Sequence, residues 1–182
     1  MEKTMTEILQ EKWIRGVAIT TTCLAVMTAI AAARGAACGV KTQLLTAIES
    51  SKWAYYQAKS IKQNLAETQK NAFEVESLGA ANSMQKTLYD EKLKNATQEI
   101  RRYEAEKNAL KKEAEDTAAT NKLLSKKGNF FSGSVVFFQI GIMLSSVSAL
   151  LKKKFMWIIG LVFGAIAVGL LGYGLFLPPL LF

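Results

Sequence analysis

Hydrophobic positions fall into three blocks, and a long polar stretch separates the first block from the other two. Gly16 to Ala33 carries no charge, and neither do Phe130 to Leu151 and Phe155 to Phe182, which are parted only by Lys152, Lys153 and Lys154. A bilayer core is crossed by about 20 apolar residues of helix, so each block is long enough to span. The stretch from Thr42 to Lys127 is too charged to enter lipid. The pattern predicts an all-α membrane protein with three transmembrane helices. Residues 1–38 are read as a polar lead-in and first span, 39–128 as a polar helical hairpin, and 129–182 as a transmembrane helical hairpin.

Within the polar part no proline interrupts the chain before Pro178. Apolar or small residues recur at Leu44, Ile48, Ser51, Tyr55 and Ala58, then at Ile61, Leu65, Thr68, Ala72 and Val75. A second series runs Leu93, Ala96, Ile100, Tyr103, Lys107, Leu110 and Ala114. Steps of three and four are helical with heptad character. Gly79 can end one helix, and Asn82 or Ser83 can cap the next, which places a turn at 79–83. The two arms are equal, each roughly 60 Å at 1.5 Å per residue, and so return the chain to the surface it left. Centring the turn on Ala80 and Ala81 predicts an antiparallel, coiled-coil-like hairpin. Its seam takes Tyr55, Ile61 and Leu65 from one arm and Ala96, Ile100 and Tyr103 from the other. Ile61 then faces Ile100, Leu65 faces Ala96, Ala58 faces Tyr103, and Tyr89 lies by Ala72 and Phe73.

In this reading Trp53 and Tyr56 point away from the seam. An exposed aromatic pair on a second face suggests a second burial surface, so both are expected at an oligomer interface. The alternative is that the helix tilts and places these rings among lipid headgroups, where Trp and Tyr usually sit.

The spans carry rows of small residues. Ala25, Ala29 and Ala33 follow Thr21 at spacing four, with Ala37 beyond; Gly141 and Ser145 mark the second span; Gly160 and Gly164, with Ala165 and Gly169, mark the third. Small residues at that spacing let helix backbones approach closely in lipid, so Ala25, Ala29, Ala33, Gly141, Ser145, Gly160, Gly164, Ala165 and Gly169 are all expected at helix contacts. Hydroxyls of Thr20, Thr22 and Thr28 either bond back to their own helix or line a water path.

The net charge of +8 points to the membrane more than to nucleic acid. The polar middle holds nearly equal numbers of acids and bases, and the excess lies at the membrane edges. Lys152, Lys153 and Lys154 form the strongest cluster and are read as topology and headgroup contacts. With Lys3, Lys12 and Arg15 on the same side, they place the N-terminus and the 152–154 loop in the cytoplasm and the hairpin in the periplasm or outside the cell. Arg34, Lys41, Lys126 and Lys127 pull the other way, although long loops count for less.

Candidate chemistry is sparse. There is no histidine, and two cysteines, Cys23 and Cys38, make neither a disulfide framework nor a zinc site. Both are read as small packing residues, with cross-linking of neighbouring copies the alternative for Cys38. No phosphate loop, nucleophile elbow or calcium loop occurs. Carboxylates such as Glu104, Glu106, Glu113, Glu115 and Asp116 lie beside lysines as a solvated helix surface. The expectation is no enzyme, no metal and no cofactor.

Two stretches together carry a family resemblance: Trp53-Ala54-Tyr55-Tyr56-Gln57-Ala58-Lys59-Ser60-Ile61-Lys62, and Phe138-Gln139-Ile140 through Ser145-Ser146 to Leu150-Leu151-Lys152-Lys153-Lys154 and Trp157. With one span before and two after, they resemble a bacterial membrane family catalogued as a domain of unknown function, number 4337. The resemblance implies a bacterial inner-membrane protein and supplies no activity and no site residues. The functional expectation is a self-associating scaffold or accessory protein whose partners are the lipid bilayer, further copies of itself and an unidentified protein. A pore-forming homo-oligomer is the alternative, and a transmembrane sensor the third reading.

Overall fold

The computed structural model describes residues 5–79 and 82–176, with side chains from Trp13 onward. The expected turn centre at Ala80 and Ala81, the stop at Pro178-Pro179, Lys3 and the side chain of Lys12 lie outside the described residues. The chain is all-helical: α1 covers Met5–Leu78, α2 Ser83–Leu151 and α3 Lys154–Phe176. The first two are very long, 74 and 69 residues. Proline is missing from both, and Gly16, Gly35 and Gly39 cost α1 only about 1 kcal/mol each against alanine, too little to break a helix that packs along its length.

The helix ends follow local chemistry. Beyond Leu78, the Gly79 N–H donates back to the Glu76 carbonyl at 3.2 Å. At the start of α2 the Asn82 carbonyl accepts from Lys86 N–H at 3.1 Å, the bond an N-cap residue makes. Between α2 and α3, Lys152 takes φ 53°, the left-handed conformation that commonly ends a helix and is usually given to glycine. Lys153 N–H then reaches back to the Ser148 carbonyl at 3.2 Å, and Ser148 Oγ donates to the Lys153 carbonyl at 2.9 Å.

The chain divides into two compact units. One comprises Met1–Gln43 and Lys122–Phe182, the other Leu44–Asn121. In the first, the apolar unit, each of the three helices has a stretch long and apolar enough to cross a membrane. Its interior gathers Leu24, Ala31, Phe131, Phe138, Ala167 and Leu171, with buried Ser134, Ser145 and Ser148. Glycine sets the approach of α2 to α3. A Cβ on Gly160 would lie 2.8 Å from Ser145 Oγ and 2.9 Å from the Gly141 carbonyl oxygen; one on Gly141 would lie 2.9 Å from the Gly160 carbonyl oxygen. Leu24 of α1 reaches the Gly164 backbone, and Phe131 fills the space beside Gly174. Phe130 meets Tyr173 edge-on and Phe137 stacks on Phe163.

In the second, polar unit, α1 packs on α2. Thr46 pairs with Asn121, Lys52 with Glu113 and Thr117, Lys59 with Glu106, Gln63 with Lys107, and Phe73 with Lys92. Partner numbers on α2 fall as those on α1 rise. The shielded positions of α2 are the expected series, Leu93, Ala96, Ile100, Tyr103, Lys107, Leu110 and Ala114. Those of α1 are not. Lys52, Tyr56, Lys59, Gln63 and Ala66 are shielded, whereas Tyr55, Ile61 and Leu65, expected on the seam, are 61%, 69% and 58% exposed.

Two corrections follow. α1 turns a different face to α2, so Ile61 does not meet Ile100 and Leu65 does not meet Ala96. The register also differs by about one helical turn, since Lys59 lies against Glu106 where the expected pairing placed Arg102. Both have physical causes. α1 has no break in which its face could rotate, and its shielded positions keep one heptad phase from Val17, Leu24 and Ala31 to Lys52, Lys59, Ala66 and Phe73. At the turn, Asn82 to Leu88 are all exposed and the shielded positions of α2 begin at Tyr89, in keeping with pairs that fall later along α2 than expected.

Candidate functional site

Five features singled out in the sequence can be followed into the structure: the aromatic pair, the seam, the small-residue rows, the threonines and the lysine turn. Tyr56 lies on the inward side of α1 and not at its expected place. Tyr56 is half-buried, and the Lys107 ammonium from α2 lies 5.9 Å from its ring centroid. Trp53 packs edge-on against Tyr56 with centroids 5.5 Å apart. The expectation that Tyr56 points away from the seam is corrected: heptad counting from Ala66 puts it at an inward position, with the half-buried Trp53 beside it on α1. Tyr55 is the aromatic residue that faces outward.

The seam is more polar on α1 than on α2. Lys52 donates to Thr117 Oγ1 at 3.2 Å and pairs with Glu113 at 3.4 Å. Lys107 donates to Gln63 Oε1 at 2.9 Å, and Asn121 Nδ2 donates to Thr46 Oγ1 at 2.9 Å. The Lys59 ammonium, hydrogen-bonded to Glu106, holds that carboxyl below its usual range, against a smaller upward push from burial. The Arg102 guanidinium lies 4.9 Å from the Tyr103 ring centroid, and its pKa is raised, chiefly by that neighbour. Ala96 and Ala114 are buried, Ile100 and Tyr103 half-buried, so the α2 half of the expected seam lies where the heptads place it. The inward polar residues of α1 have no signal in a pattern that marks the buried face by apolar residues. A count in sevens from Leu24 and Ala31 picks out Lys52, Lys59, Ala66 and Phe73 instead.

The small-residue rows divide. Gly141, Ser145, Gly160 and Gly164 are buried at contacts within the chain. Ala25, Ala29 and Ala33 on α1 are exposed, as are Ala165 and Gly169 on α3, and a Cβ on Gly169 would meet nothing within 4 Å. Val17, Leu24 and Ala31 take the inward place on α1. Cys23 is exposed, while Cys38 packs against Gly128. The reason is geometric. On α1 the inward positions lie seven apart and stay on one face of a heptad-packed helix, while the row at spacing four falls on another face.

The threonine hydroxyls bond to their own helix: Thr21 to the Val17 carbonyl, Thr22 to Ala18 and Thr28 to Leu24, at 2.8, 2.9 and 2.7 Å. Thr20 bonds back to Gly16 and Val17 and also accepts from Trp157 Nε1 at 3.1 Å, tying α1 to α3. That indole bond has no local sequence signal, because its partners lie far apart in the chain. Lys152, Lys153 and Lys154 are exposed at the α2–α3 turn.

Features that could carry catalysis are few. Among the described residues, no three His, Cys, Asp or Glu side chains are grouped to hold a metal ion. An open groove on the polar unit is bounded by Phe73, Lys92, Asn95, Glu99 and Arg102. Lys92 lies over the Phe73 and Tyr89 rings there, so its charge is engaged within the chain. The arrangement of the described residues offers contact surface and charge pairing.

No curated protein and no solved structure matches the chain. The model of the family described as a domain of unknown function, DUF4337, matches residues 13–177, and with nearly the whole chain covered the protein belongs to that family.

Proposed function

We propose that this protein is a multi-pass membrane scaffold or accessory protein, and that it works through contacts rather than chemistry. Three transmembrane segments lie in α1, α2 and α3, and residues 44–121 form a water-exposed antiparallel helical hairpin. The compartment proposed is a bacterial inner membrane, with the 152–154 loop in the cytoplasm, where clustered lysines favour it.

One observation carries the reading. The apolar unit is apolar outside as well as inside, unlike a water-soluble bundle. Its surface is Ile19, Val26, Ile30, Val136, Met143 and Val162, all exposed, while its interior contains Ser134, Ser145 and Ser148 beside glycine and alanine. In water such a surface would be unfavourable by about 25 cal/mol for each Å² of apolar area. In lipid it costs nothing, and close packing through small residues becomes the main source of helix association. The threonines do not favour a pore, because their hydroxyls are bonded to their own helix and a water path needs polar groups through the bilayer's depth.

The test is fractionation with cysteine labelling. The protein should stay with membranes through carbonate extraction. A membrane-impermeant thiol reagent should label Asn82→Cys in intact spheroplasts and leave Lys153→Cys unlabelled, each in a background with Cys23 and Cys38 replaced by serine. Release by carbonate would remove the membrane reading, and the opposite labelling would reverse the orientation.

A further inference from the structure

We propose that the outward face of α1 from Leu44 to Ile61 is a self-association surface, and that its occupant is the same face of a second copy of this chain, with the two α1 helices parallel. The observation behind it is a reversal of polarity. From Thr42 to Ile61 the charged residues of α1 are Glu49, Lys52 and Lys59; all three are half-buried, and Lys52 and Lys59 pair with α2. The outward positions Leu44, Ala47, Ile48, Ser51, Ala54, Tyr55, Ala58 and Ile61 hold no charge. Leu44 is 60% exposed, and Tyr55 and Ile61 are as open. α2 follows the ordinary rule, with Glu104, Lys111, Lys112, Glu115 and Asp116 outward.

The outward residues have a period of their own. Leu44, Ile48, Ser51, Tyr55 and Ala58 follow in steps of four, three, four and three, the spacing of a second heptad seam on a helix that already has one. A helix with two seams packs against two helices, and α2 supplies only one. The large Tyr55 is flanked on that face by Ser51, Ala54 and Ala58, which leave room for a facing ring.

Charge selects the occupant. A charged face laid on this stripe would lose its water without gaining a counter-charge, which is strongly unfavourable. That excludes the outward face of α2 and leaves the stripe as its own complement. The parallel sense rests on the membrane reading above, because copies anchored in one bilayer share an orientation and present α1 at the same height. Matching positions then meet, Ile48 with Ile48 and Tyr55 with Tyr55. Lys52 and Lys59, at the margin, are already paired with Glu113 and Glu106, so no unpaired like charges are forced together. At Lys62 the frame would oppose two lysines, which ends the contact at Ile61.

The experiment uses the full chain in nanodiscs, with Cys23 and Cys38 replaced by serine. Tyr55→Cys and Ile48→Cys should each form disulfide-linked dimers on mild oxidation, and Lys112→Cys on the charged face of α2 should not. Tyr55→Glu should weaken self-association at least about tenfold, because two like charges would face each other across the contact, with helix content unchanged because Tyr55 is exposed in the single chain. Carbonate extraction of the same samples tests the membrane reading separately. A membrane-retained chain that stays monomeric, or whose Lys112→Cys variant cross-links while Tyr55→Cys does not, overturns this inference and leaves the membrane reading intact. Unaltered self-association of Tyr55→Glu overturns it as well.

Discussion

Within the polar unit, α1 and α2 are neighbours with opposite surfaces. α2 buries Ala96 and Ala114 and turns Glu104, Lys111 and Asp116 outward. α1 shields Lys52, Lys59 and Gln63 and turns Leu44, Tyr55 and Ile61 outward. Both helices have heptad spacing, so periodicity alone does not say which stripe is inside. The apolar unit repeats the contrast within a single helix: Gly160 and Gly164 of α3 are buried against the rest of the chain, while Ala165 and Gly169, on an adjacent face, are open. An apolar or small-residue stripe is a capacity for contact, and a continuous helix uses the one that its phase brings to the neighbour.

The largest effect is expected where that contrast is sharpest. Gly160→Leu must displace the Gly141 backbone as well as Ser145, and overpacking of that kind costs about 3 kcal/mol. Gly169→Leu enters open space and should leave the thermal midpoint in detergent nearly unchanged. Equal losses from the two variants would mean that the buried and open rows of α3 do not differ in this way.

A middle-sized effect separates the two helices of the polar unit. Ala114 is fully buried, so Ala114→Leu should cost about 1.5 kcal/mol through overpacking. Ala58→Leu, outward on α1, should change the stability of the single chain by less than about 0.5 kcal/mol. Denaturant unfolding of the two variants side by side measures the difference. A greater loss from Ala58→Leu would restore the face first read from the sequence.

The smallest effect concerns the shielded charges of α1. Glu106 is lowered from an ordinary value of 4.5, chiefly by its hydrogen bond to Lys59. A carboxyl held low in the folded state adds stability above its ordinary range, and that contribution fades as pH falls through the lowered value. Lys59→Gln should therefore raise the Glu106 titration midpoint, followed by carboxyl carbon NMR, and flatten this acid-side loss. Because the pair is partly open to solvent, the change in stability at neutral pH should be small. An unmoved midpoint would show that Lys59 does not hold Glu106 in solution.

How much was legible in advance can be told from particular residues. The three apolar blocks, the long helices without proline and the inward series of α2 could all be read from composition and spacing, because α2 carries its apolar residues on the face that packs. Tyr55, Ile61 and Leu65 misled for the opposite reason: on α1 the apolar stripe is not the face that meets α2. Tyr56 was displaced by the same rotation. The rows at Ala25 and Ala165 looked equivalent to those at Gly141 and Gly160, since small residues four apart are alike in sequence whether or not a helix lies against them.

Chain chemistry by itself determined where helices can form, where they stop and which stretches resemble lipid more than water, because those properties depend on neighbours within a few turns. Which face of each helix is inside was decided only by tertiary structure. α1 runs without a break from Met5 to Leu78, so a heptad phase present at Leu24 and Ala31 is still present at Lys59 and Ala66. The register was settled near the turn, where the shielded positions of α2 begin only at Tyr89. Side-chain polarity could not override either, because rotating one segment of a continuous helix would break its backbone hydrogen bonds, and shielded lysines that find Glu106, Glu113 and Thr117 cost less than that.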